Sequence, residues 1–389
     1  MATANPRTVY YASVGPRLKL FDVDTDGAEL RERGAIAAPA NIQYAWAHPS
    51  RRFLYVVSSN GGPGIAGDQH FANAFLIDPA TGSLSPHGEP AALPSRPIHT
   101  SVDRSGGYLL TAYNNPSGLT VHRLAADGSI GAPVQQPSDL DTGIYAHQIL
   151  ATPSNRCVVL VTRGNHATAT KPEDPGAIKT FAFENGVLRN LASIAPGNGL
   201  GFGPRHLDFH PKKPWAFISI ERQNKLYVYA LDDAATGLAR DPLFVKETLS
   251  NPKTPASQGA GPIHVDRNGK FVYLTNRTFP ATDGGGREIS EGGENNVVVY
   301  AIDQNSGEPT PIQHIDGHGV QLRTFGIDGS GRLLVVASIM PMPRRDGASL
   351  PAGMTVLRIA ADGKLNFVRK HDVEVGAFQQ FWSGMLALP

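Results

Sequence analysis

The sequence predicts an all-β fold: a seven-bladed β-propeller with four antiparallel strands per blade and a closing blade shared by the N- and C-termini. Three observations carry that reading. A strand–turn–strand segment recurs along the chain with a period of roughly 50–60 residues, a spacing that marks propellers, solenoids and arrays. Each copy is followed by a third strand, an Asp/Gly-rich turn and a fourth strand. The two chain ends carry complementary fragments of one further unit.

The clearest copy runs from Gly203 to Leu231, GPRHLDFHPKKPWAFISIERQNKLYVYAL. It reads as a strand over 205–209, a turn at His210-Pro211, a strand over 215–220, the polar Glu221, and a third strand over 226–231. Other copies open at NIQYAWAHPSRRFLYVVSS, RPIHTSVDRSGGYLLTAYN, YAHQILATPSNRCVVLVTR, GPIHVDRNGKFVYLTNR and VQLRTFGIDGSGRLLVVAS. The turns between third and fourth strands are DPATGSL, AADGSIG, DDAATGL, DQNSGEP and AADGKLN, where Asp caps and Gly takes positive φ. Four antiparallel strands per unit make a propeller blade. VYYASV, LKLFDVD and ELRERGAI at the N-terminus supply second, third and fourth strands without a first. GAFQQFWSGML at the C-terminus is a first strand with nothing after it, and pairing the two removes two sheet edges. The expected organisation is one domain over residues 1–389.

Composition narrows the function. The chain has 389 residues with 42 glycines and 31 prolines, which suits many turns and few helices. Lys+Arg is 35 against Asp+Glu 34, so no global field favours nucleic acid or an acidic membrane surface. The one cysteine, Cys157, lies in the apolar run CVVLV; it reads as core filler and excludes an intrachain disulfide framework. MATANPRTVYY has no apolar signal core and no run approaches membrane-spanning length, so a soluble, cytoplasmic protein is expected, monomeric or weakly homo-oligomeric.

The repeat also sets a register. Five positions before the turn residues His48, Asp103, Thr152, His210, Asp266 and Asp328 lie Gln43, Ile98, His147, Arg205, Gly261 and Arg323. Side chains alternate along a strand, so these six share one level of the central channel. The second strand runs antiparallel and ends beside the start of the first, which places Ser59, Asn114, Arg163, Glu221, Arg277 and Ile339 in a second ring at the same mouth. Four arginines in a near-neutral protein make a local anion site. His99, His206 and His264 fall on the opposite parity and read as structural, hydrogen-bonding between blades. The long loops after second strands, such as GNHATATKPEDPGAI and TFPATDGGGREISEGGENN, leave from the same mouth and are placed to cover a ligand. The histidines lack metal-ligand spacing, so no metal and no other cofactor is expected.

With Gly203-Pro-Arg-His, His210-Pro211 and Glu221, the chain resembles the seven-bladed propeller lactonase family, which includes bacterial 6-phosphogluconolactonases and the fungal carboxy-cis,cis-muconate lactonizing enzyme. The resemblance covers nearly the whole chain, split blade included. The His, Arg, Glu, Arg quartet associated with that family's site falls on His147, Arg205, Glu221 and Arg277. The long insertions, Arg163, and Leu-Arg in place of Pro-Arg at Arg323 depart from familiar members.

The expected chemistry is hydrolysis of the lactone of an anionic sugar acid. Fixed arginines stabilise the oxyanion that forms on the carbonyl. His147 is placed as general base. Glu221 orients His147, tethers an arginine, or is itself the base. Arg163, Arg323, Gln43 and Asn114 are expected to bind substrate, whose carboxylate or phosphate suits bidentate guanidinium contacts. Two other readings stay open at this point: a cycloisomerase of the muconate-lactonizing type using the same residues in reverse, and a non-catalytic propeller scaffold.

Overall fold

A computed structural model describes residues 7–344 and 346–389. The reading of the extreme N-terminus rests in part on residues 1–6, which lie outside the described residues. Seven antiparallel sheets form the ring; six have four strands, and in blade four the outer strand is split into Gly237–Leu238 and Phe244–Glu247, both paired with Lys225–Asp232. Blade one is built from Asn41–Ala47, Phe53–Ser59, His70–Ile77 and Leu84–Ala92. Blades two to six begin with the first strands Pro97–Val102, Ala146–Ala151, Pro204–Phe209, Gln258–Val265 and Leu322–Ile327. The closing blade orders Glu29–Ala37, Arg17–Asp24 and Thr8–Val14 against a C-terminal innermost strand, Ser383–Ala387. Among the described residues, no helix is long and apolar enough to cross a membrane.

The second strands explain why the blades stack. FLYVVSS, residues 53–59, is buried throughout. Alternation turns Leu54 and Val56 toward Val9, Tyr11 and Leu18 of the closing blade. Phe53, Tyr55 and Val57 turn toward Leu109 and Tyr113 of blade two. A strand covered on both faces needs a continuous apolar run, which is what each repeat carries. Cys157 is one of these residues: it is buried, and burial pushes its thiol up to about 11.

The turns behave as their residues require. Asp78 Oδ1 accepts from the backbone N–H groups of Ala80 and Thr81 at 3.1 and 2.7 Å. Gly82 follows at φ 74°, and a Cβ there would meet Val9 at 2.7 Å. The first-strand turns use Asp in the same way; Asp103 Oδ1 accepts from Tyr108 N at 2.8 Å.

The structure corrects two expectations. The C-terminal strand is shorter than the expected segment, since only Ser383–Ala387 joins the ladder. Residues before it bond to neighbouring loops instead: Gly15 N donates to Gln379 O at 3.1 Å and Gln380 N to Ile339 O at 2.8 Å. The second correction concerns alternation. Every first strand from blade one to blade six slips by a β-bulge near its start. The residues left out of the ladder are Gln43, Ile98, His147, Arg205, Gly261 with Pro262, and Arg323. A bulge re-aims side chains and breaks simple parity beyond it. His99 and His206, expected on the far face, therefore enter the channel. The Tyr44 ring lies 4.2 Å from His99, 6.5 Å from His206 and 6.3 Å from Trp382, centroid to centroid. Blades one and four are not neighbours, so the Tyr44–His206 contact crosses the channel. His99 still bridges blades, accepting from Ile149 N at 3.5 Å, and His264 lies 3.5 Å from Asp208 of blade four.

The insertions of blades five and six form small hairpins, Ala281–Thr282 with Glu288–Ile289 and Met342–Pro343 with Ser349–Leu350. They dock on each other through Ser290 N and Pro343 O at 2.8 Å. Beside them lies a cavity of 1100 Å³ lined by His314, Asp316 and Lys370 of the outer strands, away from the channel quartet.

Candidate active site

Glu221 organises the mouth of the channel. It begins a short 3-10 turn after Trp215–Ile220, and its N–H donates to Gly203 O at 2.9 Å. Gly203 sits at φ 54°, and a Cβ there would meet the Arg222 stem at 2.4 Å. A Cβ at Gly259 would lie 2.9 Å from the Phe279 ring and 3.1 Å from Glu221 Cγ. The two glycines thus leave room for the side chains that flank the carboxylate.

Three arginines converge on Glu221. Arg163 Nη1 donates to Oε2 at 3.1 Å, Arg277 Nη2 donates to Oε1, and Arg205 Nε lies 3.3 Å from Oε1. The Glu221 side chain is 3% exposed and that of Arg205 1%. Burial alone would raise the carboxyl, but Arg277, Arg163 and Arg205 outweigh it and hold the group at about 2. Burial disfavours the Arg163 charge, yet Glu221 more than offsets it and the guanidinium is raised. Glu221 is therefore a permanent carboxylate, a strong tether for arginines and a poor proton acceptor at neutral pH.

His147 is buried beside this cluster, with its ring 5.1 Å from that of His206. Burial first, then Arg205 and other cations, push its pKa well below the ordinary value, so the imidazole is neutral. Among the described residues its buried Nδ1 has no hydrogen-bond partner, nor have Arg205 Nη1, Arg163 Nε and Arg277 Nε. Buried donors of this kind are ordinarily satisfied, and the acceptor oxygens of a ligand would satisfy them.

Of the four residues expected to bind substrate, Arg163 has an internal partner in Glu221 and its guanidinium carbon lies 4.2 Å over the Tyr145 ring. Arg323 has no carboxylate partner among the described residues; its guanidinium carbon lies 3.6 Å from the Phe381 ring centre. Gln43 accepts from Arg96 Nε at 2.9 Å and donates to Asn41 O at 3.1 Å, so it holds another side chain in place. Asn114 is buried and lines a 590 Å³ cavity together with Tyr145 and Lys171, and none of the quartet lines that cavity.

Arg96, Tyr145 and Phe381 are site residues that the two rings did not include. Arg96 and Tyr145 lie seven positions before the turn residues Asp103 and Thr152, one layer nearer the mouth than the first ring. Applying the same count there would have found them. Phe381 precedes the C-terminal strand, and nothing in the repeat marks it. Among the described residues, no three His, Cys, Asp or Glu side chains cluster as metal ligands.

Fold and site together define a seven-bladed propeller whose channel mouth holds five arginines around one carboxylate. The model of the family described as Lactonase, 7-bladed beta-propeller, matches residues 8–339, and the chain belongs to that family. It is 28% identical to the 6-phosphogluconolactonase of Bacillus subtilis (strain 168), over 82% of this chain and 83% of that one. It is 26% identical to the 6-phosphogluconolactonase of Cronobacter sakazakii, over 85% and 87%. Among solved structures, a periplasmic gluconolactonase of Pseudomonas aeruginosa superposes with TM-score 0.74 at 20% identity, covering 98% of this chain and 100% of that one, a likeness of fold.

Proposed function

We propose that this protein hydrolyses the lactone of an anionic sugar acid, of the kind for which its 6-phosphogluconolactonase relatives are named. The observation that carries the reading is one buried carboxylate shared by three arginines, next to a buried neutral histidine.

Each group has a role that its geometry suits. Water attacks the lactone carbonyl and gives a proton to His147, whose neutral imidazole has a nitrogen free of protein partners. The carbonyl oxygen becomes an oxyanion, stabilised by Arg277 and Arg205. These guanidinium groups are already fixed by Glu221, so little reorganisation is needed as charge develops. Collapse of the tetrahedral intermediate breaks the ring C–O bond, and the leaving alkoxide takes the proton back from the imidazolium. The product is an open-chain hydroxy acid. Glu221 acts through the arginines it holds, since a carboxyl held at about 2 is a poor general base.

The direct test is a colorimetric screen of aldonic, aldaric and phosphorylated lactones, run with and without EDTA, with Arg277→Ala as control. Turnover of an anionic lactone that survives chelation and is lost in the variant is expected. No turnover on any lactone overturns the assignment, and activity lost in EDTA but restored by a divalent ion overturns its metal-free mechanism.

A further inference from the structure

Five buried or half-buried arginines stand at this mouth, and Glu221 engages three of them. Arg222, next in the chain, is taken up by Glu173. Arg96 and Arg323 are left without a carboxylate among the described residues. We propose that Arg96, held with Arg323 against the Phe381 ring, binds the terminal oxyanion group of the substrate's tail, at a subsite separate from the reacting carbonyl. The inference rests on the lactonase reading above and adds to it a specificity-determining residue.

The geometry is that of a built site. Both guanidinium carbons lie against one ring, Arg323 at 3.6 Å and Arg96 at 5.6 Å from the Phe381 centre. The two are therefore no farther apart than those distances combined. A guanidinium stacked on an aromatic face keeps its in-plane N–H groups free. Among the described residues Arg96 hydrogen-bonds through Nε, to Gln43 Oε1 at 2.9 Å, which leaves both terminal nitrogens for a ligand. Gln43 is anchored in turn by Asn41 O. Phe381 is fixed from both sides: Gln380 Nε2 donates to Ser338 O at 3.2 Å and Gly353 O at 3.1 Å, and Trp382 N donates to Ser13 Oγ at 2.9 Å.

The electrostatics call for an anion. Burial, with Arg277 and Arg96 adding to it, pushes the Arg323 guanidinium down to about 9. Two like charges held close in a partly desolvated site repel, and a phosphate or carboxylate between them turns repulsion into paired charge-assisted hydrogen bonds. Arg323 also contributes to holding His147 neutral, so it lies within electrostatic reach of the proposed base as well as of Arg96. A substrate with its lactone carbonyl at Arg277 and its anionic end at Arg96 would span the mouth.

The experiment compares a neutral aldonolactone with its terminally phosphorylated counterpart, and titrates inorganic phosphate calorimetrically. Wild type is measured beside Arg96→Gln, Arg96→Lys and Gln43→Leu, each checked by thermal denaturation. Arg96→Gln is expected to raise KM for the phosphorylated lactone at least about tenfold while kcat changes by less than about twofold, because ground-state and transition-state binding are lost together. The preference for the phosphorylated over the neutral lactone should fall by about the same factor, with Arg96→Lys and Gln43→Leu intermediate. Phosphate should bind wild type, compete with the phosphorylated lactone, and bind Arg96→Gln at least about tenfold more weakly. Equal losses on both lactones in a variant that melts like wild type would overturn the subsite. So would phosphate binding that is absent, unaffected by the substitution, or non-competitive. If neither lactone turns over, the activity assignment fails, while the phosphate titrations still decide the subsite. Should Arg96→Gln not fold, Arg96→Lys and Gln43→Leu carry the same comparison.

Discussion

Arg163 donates to Glu221 Oε2 at 3.1 Å, joining the second-strand ends of blades three and four. A residue expected from its ring position to meet substrate is thus engaged by a protein carboxylate. Arg163→Ala should lower stability by about 1–3 kcal/mol, the usual cost of removing a charged hydrogen bond at a buried site. Arg323→Ala, which breaks no ion pair among the described residues, should instead raise KM. Melting curves and steady-state kinetics on the two variants separate these effects; a KM rise in Arg163→Ala as large as that in Arg323→Ala would put both residues on the substrate.

Glu221→Gln removes the carboxylate that Arg163, Arg205 and Arg277 share. Breaking a buried pair by deleting one partner costs about 3–5 kcal/mol, because the remaining charge is left uncompensated. The variant should melt well below wild type, and sulfate should raise its melting temperature more than that of wild type by supplying an anion. Equal sulfate shifts in the two proteins would mean that the arginines find other partners.

Acid should destabilise the fold in two stages. His99, His147 and His206 are pushed well below their ordinary pKa of 6.5 by burial. Below pH 6.5 the unfolded chain binds protons at these sites that the folded chain refuses, so stability is present above that pH and is lost as pH falls through it. Glu221 is held at about 2 against an ordinary 4.5, so its contribution is complete above 4.5 and disappears as pH falls toward 2. That second stage is worth roughly 3 kcal/mol. Denaturant midpoints between pH 8 and pH 3 check both stages. Since His147 stays neutral, the acid limb of kcat/KM should lie below pH 6.5; a limb at or above 6.5 would remove His147 as the base.

Arg277→Ala should reduce kcat by about 10²–10³-fold if this guanidinium stabilises the oxyanion, the usual cost of losing one such donor. Single-turnover kinetics on a lactone that wild type hydrolyses would show whether the loss lies in the chemical step. A variant with normal kcat and raised KM would place Arg277 in ground-state binding instead.

Deleting residues 376–389 should unfold the ring cooperatively. It removes the innermost strand, Ser383–Ala387, from the closing blade and takes Phe381 and Trp382 out of the mouth and channel. A truncated chain that melts like the full one would rule out this closure.

The repeat alone determined the blades, their number, the closing of the ring by both termini, and the mouth at which His147, Arg205, Glu221 and Arg277 meet. Strand periodicity, turn residues and antiparallel geometry are local rules, and seven similar units obey them alike. Tertiary structure decided what those rules cannot carry. The bulges at Ile98 and Arg205 broke the alternation that had placed His99 and His206 on the far face, because an unpaired residue re-aims the side chains next to it. Which arginine Glu221 holds and which it leaves free depends on distances between blades. So does the placing of Phe381, brought from the end of the chain to lie against Arg96 and Arg323. Charge pairing is a property of space rather than of sequence, and here it separates the arginines fixed by the protein from those left for a ligand.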